Sequence, residues 1–377
     1  MDRIAEQAEG APIRVAFIGM RGLPADLPKA GGGERETEEK ATRLAAMGYD
    51  VTAYCRWHYN RRPHSPYRGV RLISLPSVPT KSLDTLTHSL LATLHAGATR
   101  ASVISYHGMG NGLFVPLARL LRKKSVVYMD GADWLRPKWG GFARLTLRSA
   151  ARAACRWADA VYVDNATAQE TIGKVFGRVP ELITLAAQIR EDPGAEALGK
   201  WGLEPEQYVL FVGLLKPDKG VHLLLEAYER LETDLPLVIV GDSPDGGPYV
   251  TRLKATEDGR VRFLGYVYGQ DAQQLFANAL LYVQPSLVEG NSPALMTAMS
   301  YGRCVISSDI PENAETVGEA GRTFASEDAA SLAAELSRLL QAPDEVELLG
   351  RMARARIKAV YNWDVVLRQL DRLYRRL

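Results

Sequence analysis

The sequence predicts an α/β protein built from two doubly wound parallel sheets, each with its own hydrophobic core. Three observations lead there. The chain has 377 residues, too many for one compact layer pair and comfortable for two domains of ordinary size. Its hydrophobic (46%) and charged (24%) fractions are those of a globular chain, which excludes disorder as a description of the whole. Short, nearly continuous apolar runs alternate with longer helical patterns from end to end, and such strands need helical crossovers and cover on both faces.

In the first half, residues 13–19, 50–55, 70–75, 102–106, 125–130 and 160–164 read as strands. Helical stretches over 34–47, 82–98, 112–121 and 142–157 lie between several of them. The pattern breaks at 190–200, where Pro193, Gly194 and acidic residues precede a new first strand. The second half continues with strands at 208–213, 236–241, 260–265, 280–285 and 303–307. No residue-by-residue repeat relates the halves, so they read as two similar architectures. A last helical run, 364–377, carries Val365, Val366, Leu370 and Leu373 on one side, with Arg368, Arg372, Arg375 and Arg376 offsetting the negative end of its dipole. The expected boundaries are 12–188 for the first domain and 200–361 for the second, with the closing helix 363–377 packing back on the first. Two such sheets facing each other across a cleft would bind ligands at the C-terminal edges of their strands.

Cys55, Cys155 and Cys304 are scattered, which supports neither a disulfide framework nor a zinc ribbon. No run of 18 apolar residues occurs and residues 1–11 are polar and acidic, so a spanning helix and a signal peptide are not expected; the reading is a cytoplasmic protein. The net charge of +2 conceals a basic stretch up to residue 187 and an acidic remainder. Either the first half meets something anionic, or the two solvated surfaces simply differ. No spaced His/Cys/Asp set marks a metal centre, and no nucleic-acid motif accompanies the bases.

Three segments carry candidate chemistry. The first strand leads through Gly19, Gly22 and two prolines to Gly31-Gly32-Gly33 and a helix whose first turns hold Glu34, Glu36, Glu38 and Glu39. Consecutive glycines before a helix let backbone N–H groups approach a phosphate, although the spacing is neither G-x-G-x-x-G nor a P-loop, and taken alone the segment reads better as a flexible turn with acids at the dipole. In Val288-Glu289-Gly290-Asn291-Ser292-Pro293, Ser292 is a natural N-cap and Pro293 a natural first helical residue; the helix is expected over 293–301, closed by Gly302. Glu289 before that helix could accept sugar hydroxyls while the helix N–H groups hold a diphosphate. In the 211–220 segment FVGLLKPDKG, Lys219 precedes a helix over 221–231 and could neutralise a phosphate.

The order and spacing of these pieces resemble a retaining nucleotide-sugar glycosyltransferase of the GT-B fold, that is, two Rossmann-like domains. The specific stretch is LFVGLLKPDKGVHLLLEAY, then LVIVGD, FLGYV and YVQPSLVEGNSPALMTAMSYGRCVISSDIP. MDGADWLRPKWGGFARLTL at 129–147 and GGGERETEE resemble a subgroup that includes bacterial polysaccharide rhamnosyltransferases. The resemblance implies metal- and cofactor-independent transfer from a nucleotide-diphosphate sugar in the second domain to a saccharide, or lipid-linked saccharide, acceptor in the first. It places Lys219 on the donor diphosphate, Glu289 on the donor sugar, and the backbone of Ala294 and Leu295, after Asn291 and Ser292, on the distal phosphate. Gly213, Gly265 and Tyr266 fall to the turns around the donor, with Gly265 and Tyr266 lining the base. Gly32 and Gly33 fall to the loop over the diphosphate, and Asp130 to the reacting region near the sugar's C6 group.

Two positions depart from the family pattern. Thr297 stands where the second glutamate of E-x7-E is expected to grip the ribose, and Leu214 where an arginine is expected beside Lys219. At about 1.5–3 kcal/mol for each lost contact to a charged group, the pair would cost about 3–6 kcal/mol if nothing compensated. A GT-B protein without transferase activity, acting as a binding or scaffold partner, is therefore the alternative from another class; an epimerase would need an acid/base pair that the sequence does not supply. Arg144, Arg148, Arg152 and Arg156 form one basic stripe, flanked by Leu145, Leu147 and Trp157. With Arg119, Arg122, Lys123 and Lys124, it would suit peripheral contact with an anionic membrane or, equally, a solvated face.

Overall fold

The computed structural model describes residues 11–25, 32–60, 66–80, 83–135, 140–243 and 246–377. The chain divides into one unit running to Leu185 together with Val366–Leu377, and a second unit of Ala186–Val365.

In the first unit the strands are β1 (Arg14–Ile18), β2 (Asp50–Arg56), β3 (Arg71–Leu75), β4 (Val103–His107), β5 (Lys124–Met129), β6 (Ala160–Val163) and β7 (Glu181–Leu182). They form one parallel sheet in the order β3-β2-β1-β4-β5-β6-β7. Its helices are α1 (Gly32–Ala46), α2 (Leu83–Ala98), α3 (Val115–Leu120), α4 (Gly141–Trp157) and α5 (Ala166–Phe176). The expected helix over 112–121 is a 3₁₀ turn, Met109–Phe114, followed by α3. Every residue of β4 and β6 is buried, as parallel strands covered on both faces must be. Ile104, Val127, Val161 and the alanines Ala92, Ala151 and Ala154 share one core, the small helix residues letting helix and sheet approach closely.

The second unit holds β8 (Val209–Val212), β9 (Leu237–Val240), β10 (Val261–Gly265), β11 (Leu281–Gln284), β12 (Cys304–Ser308) and β13 (Arg322–Phe324), parallel and ordered β10-β9-β8-β11-β12-β13. Helices α6 (Val221–Glu229), α7 (Pro248–Lys254), α8 (Gly269–Ala277), α9 (Pro293–Ser300), α10 (Pro311–Val317), α11 (Ala329–Leu340) and α12 (Pro343–Val360) cover it. Leu224, Tyr228, Ile239, Val283, Ile306 and Leu336 lie in its core. The last helix, α13 (Trp363–Arg375), packs on the first unit's sheet: Tyr49 Oη donates to Asp371 (2.7 Å), and the Ser105 and Tyr374 hydroxyls are 2.9 Å apart. The three cysteines are free and buried. Among the described residues no helix is long and apolar enough to cross a membrane.

Strand order reverses between β1 and β4 in one unit and between β8 and β11 in the other. Loops leaving adjacent strands in opposite directions open a crevice there, where open α/β sheets bind ligands.

Candidate functional site

In the second unit, the loops after β8 and β11 bring Lys219 and Glu289 together. Their Nζ and Oε1 are 2.6 Å apart, with side chains 22% and 10% exposed, so Lys219 is no solvated turn lysine. Two further donors meet the same oxygen: Gln284 Nε2 at 2.9 Å and Ser286 Oγ at 2.8 Å. Among the described residues no donor reaches Glu289 Oε2. Gln284 is buried at the end of β11 and organises the loop. Its Oε1 accepts from Tyr282 Oη (2.6 Å) and Ser292 Oγ (3.1 Å), and its Nε2 also donates to Ser286 Oγ (2.7 Å). Burial, and then the Glu289 charge, push the Tyr282 hydroxyl well up, which keeps it a donor. Ser286 O in turn accepts from Ser308 Oγ at 2.5 Å.

The two loops are also joined by backbone. Leu287 N donates to Asp218 O (2.9 Å), and Gly220 (φ +67°) lies so close that a Cβ there would meet Pro285 O at 1.9 Å. Only a glycine admits both the left-handed conformation and that approach.

Helix α9 starts as its sequence dictates: Ser292 Oγ accepts from Leu295 N (3.3 Å), Pro293 opens the first turn, and Gly302 (φ +75°) follows the C-cap Tyr301. Ala294, in the first turn, is half-buried. Thr297 Oγ1 donates back to Pro293 O at 2.7 Å, so its proton is committed to the helix. Asn291 Oδ1 accepts from Thr316 Oγ1 at 3.5 Å. Gly213 ends the β8 edge with its N–H on Val240 O (2.9 Å), and the next residue, Leu214, is 38% exposed. Gly265 closes β10 with φ +66°, turning the chain so that the exposed ring of Tyr266 lies parallel to that of Tyr268, 6.0 Å between centroids.

In the first unit, Gly32 and Gly33 do not precede the helix but form its first turn; Gly31 lies outside the described residues. A helix's first N–H groups have no intrahelical partner, so glycine there weakens little. Asp130 follows β5 and has one carboxylate oxygen shut off from solvent. Behind it lies a buried polar group that the sequence reading missed. Lys40, 1% exposed, pairs with Glu36 on α1, and its Nζ lies 4.2 Å from the Tyr128 ring centroid and 5.1 Å from that of Tyr162. Tyr128 Oη is 2.8 Å from Asp164 Oδ2 and 3.2 Å from Glu36 Oε2, and Asn165 Nδ2 donates to Asp164 Oδ1 (2.8 Å). Burial pushes the Glu36 and Asp164 carboxyls up, and Asp130 adds to the push on Asp164. His107, at the end of β4, is held well down by burial and by Lys40.

Residues 206–342 match the family described as glycosyl transferases group 1, and residues 31–186 match the glycosyl transferase 4-like domain. The chain carries a group 1 glycosyltransferase domain and a glycosyl transferase 4-like domain. It is 31% identical over 186 residues to the O-antigen chain mannosyltransferase B of Escherichia coli, covering 48% of its own length and 49% of the relative's. It is 31% identical over 177 residues to the D-rhamnosyltransferase WbpZ of Pseudomonas aeruginosa, covering 45% and 46%. The chain thus spans about half the length of these curated relatives. Among solved structures, the sucrose-phosphate synthase of Thermosynechococcus elongatus superposes with a TM-score of 0.80 at 22% identity, covering 96% of this chain and 98% of that one. Anabaena HepE, solved with UDP and glucose, gives 0.76 at 18%, covering 97% and 100%. At such identities these structures establish the fold alone, which is GT-B.

Proposed function

We propose that this chain is a retaining, metal-independent glycosyltransferase that moves a sugar from a nucleotide-diphosphate donor to a hydroxyl, in the synthesis of cell-surface polysaccharide or glycoconjugate. The observation that carries this reading is the convergence of Lys219, Gln284 and Ser286 on one oxygen of Glu289, beside the Ser292-capped start of α9. A carboxylate so held offers its second oxygen to a sugar hydroxyl, while the first-turn N–H of Ala294, that of Leu295 once it leaves Ser292 Oγ, and the Lys219 ammonium take the diphosphate. The exposed Tyr266 gives the base a ring to lie on. In HepE the same fold holds UDP and glucose.

Chemically, the acceptor hydroxyl attacks the anomeric carbon on the face the phosphate leaves. The C–O bond to the phosphate breaks as the new C–O bond forms, and the departing phosphate oxygen takes the acceptor's proton. The protein's part is positioning and stabilisation of the charge on the leaving group. Lys219 supplies one positive charge where the family has two, so main-chain amides carry more of that stabilisation here. The preserved Lys219–Glu289 arrangement favours this over a scaffold that has lost its activity.

The testing experiment is a thermal shift with UDP, TDP and GDP, followed by transfer assays with the corresponding nucleotide sugars. The nucleotide that fits is expected to stabilise by about 2.7 kcal/mol at 100 times its Kd. No shift with any of them overturns the reading.

The acceptor side is proposed to be a saccharide carried on lipid. In α4, Arg144, Arg148, Arg152 and Arg156 are all exposed, and among the described residues none has a carboxylate partner. Phe142 (85% exposed) and Leu145 stand beside them, and Arg119, Arg156, Trp157 and Pro116 line an open cavity of ≈590 Å³. Lys123 and Lys124 drop out of this surface: Lys123 Nζ is held by Thr99 O and Ala101 O, and Lys124 by Asp159. Replacing Arg148 and Arg152 with alanine is expected to weaken cosedimentation with phosphatidylglycerol vesicles about thirtyfold, at about 1 kcal/mol per basic residue. Equal binding to neutral phosphatidylcholine vesicles would remove the membrane from the proposal.

A further inference from the structure

We infer that Lys40 is a positioning residue for the transfer reaction, holding the first turn of α1 and the end of β5 in one arrangement through Glu36 and Tyr128. The inference rests on the proposed function in one respect, that Gly32, Gly33 and Asp130 border the reacting groups.

A buried lysine needs a reason, because removing an ammonium from water costs several kcal/mol unless its surroundings replace the hydration. Here they do. The carboxylate of Glu36 lies one turn back on the same helix, and the stacked faces of Tyr128 and Tyr162 (4.9 Å between centroids, 18° apart) lie in front of the Nζ. Each partner is then fixed in turn. Tyr128 Oη reaches both Glu36 and Asp164, and Asp164 is held by Asn165, whose Oδ1 caps α5 by accepting from Ala168 N (2.8 Å).

The cluster therefore ties together α1, β5, β6 and the start of α5. Two of its members are close in sequence to residues of the proposed reacting region: Glu36 is three residues after Gly33, assigned to the loop over the donor diphosphate, and Tyr128 is two residues before Asp130. Lys40 touches neither of those sites, so its effect must pass through Glu36 and Tyr128.

The charge balance makes Lys40 more than a packing element. Glu36, Asp164 and Asp130 are three carboxylates of one region, and among the described residues Lys40 is the cation that acts on both Glu36 and Asp164. The other titratable groups of the region are Tyr128, Tyr162 and Tyr374, held as neutral hydroxyls by burial, and His107, held neutral. Without the ammonium the carboxylates either repel or take up protons, and in both cases the end of β5 moves relative to α1. Lys219, Glu289 and the start of α9, the main grip proposed for the donor, lie in the second unit and have their own hydrogen bonds, so loss of Lys40 should disturb donor binding much less than turnover.

The test compares Lys40→Met with Lys40→Met/Glu36→Gln, which removes one charge of each sign. With the nucleotide sugar that supports transfer, Lys40→Met is expected to lower kcat about 10²-fold, the scale of a 1 Å misplacement, with a much smaller change in donor KM. The acidic limb of its pH profile should move to higher pH, because a neighbouring cation holds carboxyl pKa values down and its loss raises them. The double variant is expected to recover both kcat and the limb. Wild-type kcat in Lys40→Met, a donor KM that rises with the fall in kcat, or a double variant no better than the single one would overturn the inference. Hydrogen exchange over residues 36–46 and 124–131 gives an answer that does not need activity. Lys40→Met should lose protection in both segments together, and unchanged protection overturns the inference even if no nucleotide sugar is ever a substrate. Should Lys40→Met not fold, the double variant decides: folding with protection restored supports the charge role, and failure to fold assigns Lys40 to bulk stability instead.

Discussion

Replacing Glu289 with alanine is expected to lower turnover about 10²–10³-fold, the range for deleting one preorganised polar group from a transition-state site, about 2.7–4 kcal/mol. Nucleoside diphosphate affinity should be unchanged or higher. The asymmetry follows from the hydrogen bonds. Glu289 is in contact with Lys219, and an ammonium released from a carboxylate 2.6 Å away is freer to meet a phosphate. The donor sugar, by contrast, loses the one acceptor that Gln284 and Ser286 hold in place. Glu289→Gln separates charge from shape: it keeps the length and one acceptor but removes the negative charge, so a smaller loss than for alanine is expected. The measurement is steady-state transfer together with calorimetric titration of the nucleoside diphosphate. Unchanged turnover in Glu289→Ala removes the role assigned to this carboxylate, and a loss confined to nucleotide binding would move it from the sugar to the phosphates.

Much of the scaffold around Glu289 is legible in the sequence because it rests on short-range chemistry. Ser292, Pro293 and Gly302 bound a helix by local capping alone, and the observed helix differs from the expected one only at Tyr301, its C-cap. The apolar runs that predict β4, β6, β8 and β11 are buried on both sides, so their pattern is strong even over four or five residues. Strands β7 and β13, of two and three residues, carry no readable period and escape notice. The glycine segment is misjudged by two residues, since glycine's low helix propensity matters least in a first turn. What cannot be read locally is any role made by contact across the sheet. Gln284 is an ordinary polar residue at a strand end until Tyr282, Ser286, Ser292 and Glu289 are placed around it. Lys40 is four residues from Glu36, the spacing of an ordinary surface pair, and only tyrosines from β5 and β6 show that it is buried. Leu214 and Thr297 are the reverse case: both are conspicuous in the sequence, and in the structure one is exposed and the other bonded to its own helix.

The largest structural effect is expected from one methyl group at Gly220. Alanine there faces two penalties that do not relieve each other. The backbone sits at φ +67°, where a residue with a Cβ pays about 1–3 kcal/mol, and the new Cβ falls 1.9 Å from Pro285 O, far inside contact distance. Since the obstructing atom is backbone at the end of β11, no rotamer change can clear it, and overpacking of this kind costs about a further 1–3 kcal/mol. A total of about 2–6 kcal/mol is comparable to the whole stability of many domains, so a large drop in the denaturation midpoint of the second unit is expected. The functional consequence is more specific than the loss of stability. Relief of the clash requires the loop carrying Lys219 to separate from the loop carrying Ser286 and Glu289, breaking Leu287 N–Asp218 O and lengthening the Lys219–Glu289 pair. Gly220→Ala should therefore lose nucleotide binding under conditions where circular dichroism still reports a folded chain, whereas Gly259→Ala, at a position where a Cβ meets nothing within 4 Å, should change neither property. If Gly220→Ala binds nucleotide as the unaltered chain does, the close packing of these two loops is not what forms the donor site.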